Sequence, residues 1–310
     1  MSERDVAGLL FAAEMYGVQL DQLAVQLGVS EVRARALTAR WREQGYADSA
    51  RLGPGRPWVW LTRAGLLACG LPYRPSPPAL ARLAHLRAVT AVRMALESAP
   101  GYAAAGAYWR SERRLRARVG SRVPLREHLP DGEVHWPDLV AVPAGEVPAS
   151  KTHASKAHVS ETPVSGVPAT APAWAGECWA IEAELTRKTV RRTTAIMAEI
   201  LTRTGDYGCP AAEVAIPGVP PRHARVLYLC SAAARPTVRR ARDALPPALA
   251  GRVEIRGLPS AAALADATPA GAALAARPPA GTPRSAAVPG GSHPAGSGRT
   301  SPPRDSGTPA

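Results

Sequence analysis

One stretch, Cys178–Lys188, constrains most strongly what this chain can fold into. It reads Cys-Trp-Ala-Ile-Glu-Ala-Glu-Leu-Thr-Arg-Lys, an apolar run that carries two carboxylates and ends in basic residues. Successive side chains of a strand point to opposite faces, so Glu182 and Glu184 are predicted to share one face. A second apolar run, in His135-Trp-Pro-Asp-Leu-Val-Ala-Val, begins with Asp138. If the two strands pair, the three carboxylates form a candidate site for a divalent metal ion.

The charge of the chain indicates an anionic partner. Among 310 residues, Lys and Arg number 38 and Asp and Glu 25, which gives a net charge of +13. Most of the basic residues are arginines, whose guanidinium groups bind phosphates through two parallel hydrogen bonds. Double-stranded DNA is therefore the expected partner, and an anionic membrane surface is the weaker alternative. Part of the arginine excess also fits the composition that GC-rich coding sequences produce.

Cysteine usage and the apolar runs bear on the compartment. Cys69, Cys178, Cys209 and Cys230 are scattered without a CxxC pair, which argues against a zinc site or a disulfide framework. The N-terminus lacks the order of a signal peptide, and no apolar run reaches transmembrane length. The sequence predicts a soluble, cytoplasmic protein with no membrane association.

The first third of the chain has the pattern of three short helices. Apolar spacing predicts helices over 4–16, 20–28 and 30–44, with Gly28 ending the second helix and Ser30 capping the third. One side of the third helix is apolar, and its remaining faces are basic: they carry Arg33, Arg35, Arg40 and Arg42. A helix, a turn and a basic second helix form the helix-turn-helix arrangement.

The residues that follow predict a two-stranded hairpin. Strands are expected over 47–52 and 58–61, and the turn between them presents Arg51 and Arg56. The segment 1–71 resembles a winged helix-turn-helix domain, including its Leu-Thr-x-x-Gly exit at 61–65. That resemblance implies that six arginines bind DNA: Arg33, Arg35, Arg40, Arg42, Arg51 and Arg56. A winged helix that only docks proteins is the alternative.

The second domain is predicted over 79–258, after a proline-rich hinge at 72–78. Its predicted elements are a helix at 79–98, strands at 102–109, 132–142 and 177–185, a helix at 188–203, a strand at 225–230, a helix at 236–245 and a strand at 252–256. Residues 143–173 are expected to be a disordered insertion, and residues 260–310 a disordered tail rich in Pro, Ala and Gly. The fold class is thus α+β or α/β.

A dense basic stretch lies between Arg110 and Arg126. We expect Arg113 and Arg114 within it to bind DNA, as part of a rim that holds phosphates beside the carboxylates. The alternative is a solvated helix face.

The order of the second-domain elements resembles the core of restriction-endonuclease-like nucleases. The family signature is Pro-Asp followed by (Asp/Glu)-x-Lys, and Pro137-Asp138 and Glu182 match its two acids. Glu184 stands where the family has lysine, and Lys188 is the nearest cation. The resemblance implies that Asp138 and Glu182 bind Mg²⁺ or Mn²⁺, with Glu184 and Lys188 completing a catalytic site. Loss of the lysine is also how such folds become inactive binding modules, so the sequence leaves open whether the protein is an enzyme.

Both halves together resemble the replication-relaxation family of plasmids and integrative elements. The resemblance covers about 5–258 and includes the stretch Trp109-x-Ser-Glu-Arg113. It implies a DNA-binding protein of plasmid replication or relaxation. A Mg²⁺-dependent nuclease or nickase and a transcriptional regulator are the alternatives. Whether the protein forms a homodimer, as many winged-helix proteins do, stays open.

Overall fold

A computed structural model describes residues 1–119, 128–136, 176–205 and 220–259 of the chain. These residues all belong to one compact unit, Met1–Ala272. They form a mixed α+β structure with a three-stranded and a five-stranded sheet, which confirms the predicted class at that level. No helix in the described ranges is long and apolar enough to cross a membrane.

The N-terminal part consists of four helices and a small antiparallel sheet. In chain order these are α1 (Glu3–Glu14), β1 (Val18–Gln19), α2 (Leu20–Gln26), α3 (Glu31–Glu43), β2 (Ala47–Ala50), β3 (Trp58–Leu61) and α4 (Arg63–Ala68). The strand order is β1-β3-β2, and β2 and β3 form a hairpin in which Ala47 lies opposite Leu61. The predicted helices and hairpin strands are all present, and β1 is an addition.

Local chemistry explains why these helices begin where they do. The hydroxyl of Ser2 accepts a hydrogen bond from the Asp5 amide while the Asp5 carboxylate bonds back to Ser2, so a capping box starts α1. Ser30 and Thr62 cap α3 and α4 without a reciprocal bond: the side-chain oxygen of each accepts a hydrogen bond from a backbone amide of the first turn. Gly45 has a φ of +73°, which lets the chain leave α3 and enter β2.

The second part surrounds a mixed sheet. After a turn of 3-10 helix at Leu80–Arg82 come α5 (Leu83–Glu97), α6 (Pro100–Ala104), β4 (Tyr108–Ser111), α7 (Glu112–Val119), β5 (Gly132–His135), β6 (Cys178–Glu184), α8 (Val190–Thr202), β7 (Arg225–Cys230), α9 (Arg235–Asp243), α10 (Pro247–Ala250) and β8 (Val253–Gly257). The strand order is β4-β5-β6-β7-β8. The pairs β4–β5 and β5–β6 are antiparallel, whereas β6–β7 and β7–β8 are parallel.

One predicted strand is wrong in its position. Residues 102–109 were expected to form a strand, but α6 occupies Pro100–Ala104 and β4 begins only at Tyr108. Pro100 favours the start of a helix, and Gly106, with a φ of +63°, turns the chain between the two elements. Of the predicted strand 132–142, residues 137–142 lie outside the described residues, as do the predicted insertion 143–173 and the tail 260–310.

The two sheets share one hydrophobic core. Buried residues of the N-terminal part, such as Leu9 and Val59, belong to the same cluster as Val92 of α5 and Leu227 of β7. A second cluster lies on the opposite face of the five-stranded sheet, beneath α8 and α9. Residues 72–78, the predicted hinge, thus connect two parts that pack directly on each other.

Polar contacts reinforce this packing. The Arg87 guanidinium on α5 donates to both carboxylate oxygens of Asp21 on α2, at 3.0 and 2.7 Å. The Gln22 side chain donates to the Arg87 carbonyl oxygen at 2.9 Å. Bidentate bonds of this kind fix the relative orientation of the elements that carry them.

Candidate functional site

The basic face of α3 is the first candidate site. Ala34, Leu37, Thr38 and Trp41 are buried, so helical geometry turns the remaining side chains outward. Arg33, Arg35 and Arg42 are exposed and form no ion pair within the part of the chain that the structure describes. Val32 on the same helix is 78% exposed, an unusual position for a valine.

Arg40 has a different environment from its neighbours on α3. Its guanidinium is bound to Asp5 of α1, and the same carboxylate oxygen accepts a hydrogen bond from the Trp41 indole at 2.9 Å. Burial raises the pKa of Asp5, but these bonds and the bond to Ser2 outweigh burial and hold that pKa well below its usual range. Arg40 therefore links α3 to α1, and the structure assigns it a stabilising contact that the sequence analysis did not foresee.

The hairpin presents the two predicted arginines beside α3. Arg51 and Arg56 are exposed at the ends of the loop between β2 and β3. Arg56 forms an ion pair with Glu31, the first residue of α3, at 3.0 Å, and both side chains are accessible to solvent. An exposed pair of this kind contributes little free energy of stabilisation.

The two arginines predicted on α7 have opposite environments. Arg113 is buried and donates to the carbonyl oxygens of Ala13 and Arg74, at 2.7 and 2.8 Å. Its guanidinium also lies over the rings of Tyr16 and Tyr73. Burial and these contacts argue against the prediction that Arg113 binds DNA. Arg114 is exposed, and its predicted role in DNA binding stays a prediction.

The second candidate site surrounds Glu182 and Glu184 on β6. Both carboxylates are buried, and Glu184 forms an ion pair with Lys188 at 2.6 Å. Lys188, four residues beyond the end of β6, thus contacts Glu184. Its predicted part in a catalytic site stays a prediction. Asp138 lies outside the described residues, so its predicted convergence with the glutamates stays a prediction.

A different aspartate lies beside Glu182. Strand β5 begins at Gly132, opposite Ile181, so Asp131 stands next to Glu182 across the two strands. One oxygen of Asp131 accepts a hydrogen bond from the Ala183 amide at 2.8 Å. The sequence signal for this residue is a second Pro-Asp dipeptide, Pro130-Asp131, which sequence reasoning missed.

Two histidines bind these carboxylates. His85 of α5 lies 2.7 Å from the other oxygen of Asp131, and His128 lies 2.8 Å from Glu182. Burial lowers the pKa of His85, but the hydrogen bond to Asp131 outweighs that effect and the pKa is raised. We define Asp131, Glu182, Glu184, His85, His128 and Lys188 as the carboxylate–histidine cluster.

Two buried groups here, Glu182 and Tyr228, are incompletely compensated. Burial raises the pKa of Glu182 in spite of the opposing charges of His128 and Lys188. Tyr228, which pairs with Glu182 in the β6–β7 register, is almost fully buried, and its hydroxyl has no hydrogen-bond partner among the described residues. Burial raises the pKa of Tyr228, and the charges of Glu182 and Glu184 raise it further. A buried hydroxyl left unbonded is costly, and a water molecule or hydrated ion would satisfy it.

A third group, Glu133, Cys178 and His223, has the ligand types of a metal site. Their ligand atoms all lie within 4.8 Å of one another. However, both oxygens of Glu133 already accept bonds from Arg222, at 2.7 and 2.9 Å, and Arg110 adds a third at 3.2 Å. Burial raises the pKa of the Cys178 thiol to about 12, whereas zinc binds the thiolate. The charge of Glu133 is thus neutralised by arginines, and the group serves as a buried ion-pair network.

No family model, no curated protein and no solved structure matches the chain.

Proposed function

We propose that this protein binds double-stranded DNA through α3 and the β2–β3 hairpin. The observation that carries the proposal is the exposed side of α3, where Arg33, Arg35 and Arg42 have no ion pair within the described ranges while the opposite side is buried. Exposed arginines without acidic partners are available for phosphate oxygens and for the acceptor edge of guanine.

The order of the N-terminal elements supports this reading. Helix, strand, two helices and a hairpin, with the sheet order β1-β3-β2, follow the arrangement of a winged helix-turn-helix. In that arrangement α3 enters the major groove, and the hairpin with Arg51 and Arg56 meets the adjacent backbone. The ion pair of Arg40 with Asp5 connects α3 to α1.

The DNA-binding proposal is tested with the variant R33A/R35A/R42A. Charge-assisted hydrogen bonds contribute about 1 kcal/mol or more each, so the triple variant should bind a duplex roughly 100-fold more weakly. Fluorescence anisotropy with a labelled duplex at fixed salt measures the change. The control is R225A/R256A, which removes two arginines already paired with Glu177 and Glu254 and should leave the affinity nearly unchanged. Equal affinity of the triple variant and the wild type would refute the proposal.

The biological role that the sequence resemblance favours is replication or relaxation of a plasmid or mobile element. A transcriptional regulator is the alternative, because both roles need a winged helix that reads a site. Mapping the bound sites on the element that carries the gene separates the two roles. Sites at the replication or transfer origin support the first, and sites confined to promoters support the second.

A second candidate function is metal-dependent cleavage of DNA at the carboxylate–histidine cluster. The observation that favours it is that Asp131 and Glu182 lie side by side, and that Tyr228, which pairs with Glu182 in the β6–β7 register, has a buried hydroxyl without a hydrogen bond among the described residues. When the short helices α6 and α7 are set aside, the order α5-β4-β5-β6-α8-β7, with an antiparallel half followed by a parallel pair, also resembles that of restriction-endonuclease-like cores.

In this candidate function, Asp131 and Glu182 would hold Mg²⁺ or Mn²⁺, since carboxylate oxygens suit both ions. The ion would polarise the scissile phosphate and lower the pKa of a bound water. Lys188 would orient that water or the phosphate. It would take the role of the signature lysine, whose position is occupied by Glu184 in this chain. Tyr228 would bond the water from the strand beside Glu182.

The cleavage proposal is tested by incubating supercoiled plasmid with the protein and Mg²⁺ or Mn²⁺. Nicking or linearisation should occur, and it should stop with a chelator and in Asp131→Ala. Comparing Asp131→Ala with Asp138→Ala tells which of the two Pro-Asp dipeptides supplies the ligand. Asp48→Ala, an exposed acid on β2, controls for net charge. Binding of Mn²⁺, followed by calorimetry, should weaken in Asp131→Asn whether or not the DNA is cut. An intact plasmid together with unchanged Mn²⁺ binding would refute this function.

A further inference from the structure

We propose that the outer side of helices α8 and α9 is a second contact surface for the phosphate backbone of duplex DNA. The surface, named here the α8–α9 arginine face, consists of Arg191, Arg192, Arg239 and Arg240. The inference rests on the proposed DNA binding by α3 and adds to it a separate site on the five-stranded sheet.

Packing makes the four arginines neighbours on one layer. Both helices bury their apolar sides against the same face of the sheet, where Met197 of α8 and Val238 of α9 belong to one cluster with Val226 of β7. The Thr194 hydroxyl donates to the Ala241 carbonyl oxygen at 3.1 Å, which ties the helices side by side. Because the buried sides face the sheet, the arginines on the opposite sides point outward together, and all four are exposed.

The charge of this face is not neutralised within the described residues. The two helices carry two carboxylates, Glu199 and Asp243, and these are bound to Arg203 and Arg242. None of the four arginines of the face forms an ion pair with a described residue. Like charges on neighbouring helices repel one another, so binding of an anion would stabilise the face.

The location of two of these arginines in the first turn of α8 makes the uncompensated positive charge more unfavourable. This turn contains Arg191 and Arg192 and no acidic residue. The positive end of the helix dipole lies there, and cations at this end typically cost 0.3–1 kcal/mol each. Two arginines at the positive end of a helix, with no acidic residue in the same turn, indicate a binding partner that compensates their charge. A row of phosphates is the partner that matches four outward guanidinium groups on parallel helices.

The position of the face relative to the carboxylate–histidine cluster is also informative. Lys188, which binds Glu184, precedes the α8 cap residue Thr189, so Arg191 and Arg192 follow it within one turn. A backbone held by the first turn of α8 therefore runs beside the cluster. Arg113, which was expected to bind DNA, is buried. In this proposal the α8–α9 arginine face binds the phosphates instead.

The test compares the salt dependence of duplex binding by the full chain and by R191A/R192A/R239A/R240A. A 30-base-pair labelled duplex of random sequence is the probe, and anisotropy is measured from low to moderate KCl. Each phosphate contact contributes about 0.9 to the slope of log K against log salt, so the variant should lower the slope by about 2 to 4. At the same salt its affinity should fall at least about 10-fold, whereas R225A/R256A should match the wild type.

A lysine variant shows whether charge is the cause. R191K/R192K/R239K/R240K keeps the four positive charges and should keep most of the slope, although it loses the bidentate geometry. Circular dichroism confirms that each variant is folded. A wild-type slope that persists in the alanine variant overturns this inference and leaves the α3 proposal standing. Absence of any duplex binding by the wild type overturns the proposed function itself, and this inference with it.

Discussion

At the scale of single residues, buried partners decide which arginines are held in ion pairs. Arg33 and Arg40 have the same chemistry and lie on the same helix, yet of the two only Arg40 forms an ion pair with a described residue, Asp5. Arg113 and Arg114 are adjacent, and the first is enclosed by two tyrosines while the second is exposed. The sequence alone does not distinguish these arginines, because the groups that bind Arg40 and Arg113 lie far away along the chain.

Glu133 gives a prediction at this scale. It is fully buried and accepts bonds from Arg110, Arg222, His135 and His223. Glu133→Gln removes the charge that compensates the two guanidinium groups, so the free energy of unfolding should fall by about 3 to 5 kcal/mol. Urea denaturation at pH 7 measures the change. The control is Glu254→Gln, which breaks an exposed pair with Arg256 and should cost less than about 1 kcal/mol. Equal losses in the two variants would contradict the assignment of Glu133 as a buried ion-pair network.

The same residue predicts a pH dependence. Burial raises the pKa of Glu133, but the hydrogen bonds from His135, His223 and Arg222 outweigh burial and hold that pKa well below its usual range. A carboxyl with a depressed pKa in the folded state contributes its stability above the unfolded pKa, about 4.3, and loses it as the pH falls through the folded value. The wild type should therefore lose stability progressively below about pH 4, and Glu133→Gln should lose less over the same range.

At the scale of elements, one glycine determines how α4 packs under the turn after α3. A Cβ built on Gly65 would lie 1.9 Å from the carbonyl oxygen of Tyr46, and the Thr62 amide holds that carbonyl by a 3.1 Å hydrogen bond. Backbone on both sides leaves little room to adjust. Gly65→Ala should therefore lower the free energy of unfolding by about 1 to 3 kcal/mol or more.

Gly101→Ala is the matched control for this prediction. Nothing lies within 4 Å of a Cβ built on Gly101, and alanine is a better helix former than glycine. It should leave stability unchanged or raise it slightly. Thermal unfolding of both variants measures the difference. A Gly65→Ala protein as stable as the wild type would show that α4 can move away from Tyr46.

At the scale of the whole molecule, the shared core predicts cooperative unfolding. One cluster of buried residues includes Val59 of the small sheet and Leu227 of the large sheet, and Arg87 binds Asp21 across the two parts. Neither part can unfold without exposing apolar surface of the other, so urea should unfold both in one transition. Amide exchange of β3 and β6 should give the same opening free energy, and Arg87→Ala should lower both values together. Two separate transitions would contradict this prediction.

This packing has a consequence for the proposed function. Because α3, the α8–α9 arginine face and the carboxylate–histidine cluster belong to one compact unit, they keep fixed relative positions. In the proposed function, a duplex bound by α3 would therefore keep a fixed position relative to the second part of the protein.

The sequence by itself determined the local elements of this protein. The positions of α3 and β3 follow from residues close along the chain, such as the Ser30 cap and the alternation of Trp58-Val-Trp-Leu. Helix periodicity and caps depend on neighbours within four residues, and pattern reading captures such neighbours. The predicted strand at 102–109 is wrong because Pro100 and Gly106 override an apolar run.

Only the tertiary structure decided which charged groups meet. Asp131 bonds the backbone of Ala183, 52 residues away, and Glu133 binds Arg222, 89 residues away. Either Pro-Asp dipeptide can begin a strand, and the register between β5 and β6 sets Asp131 beside Glu182. Burial then separates Arg113, held in the core, from arginines of identical chemistry that remain at the surface. Pairing across the sheets depends on the free energy of the whole packed unit, which no local pattern in the sequence contains.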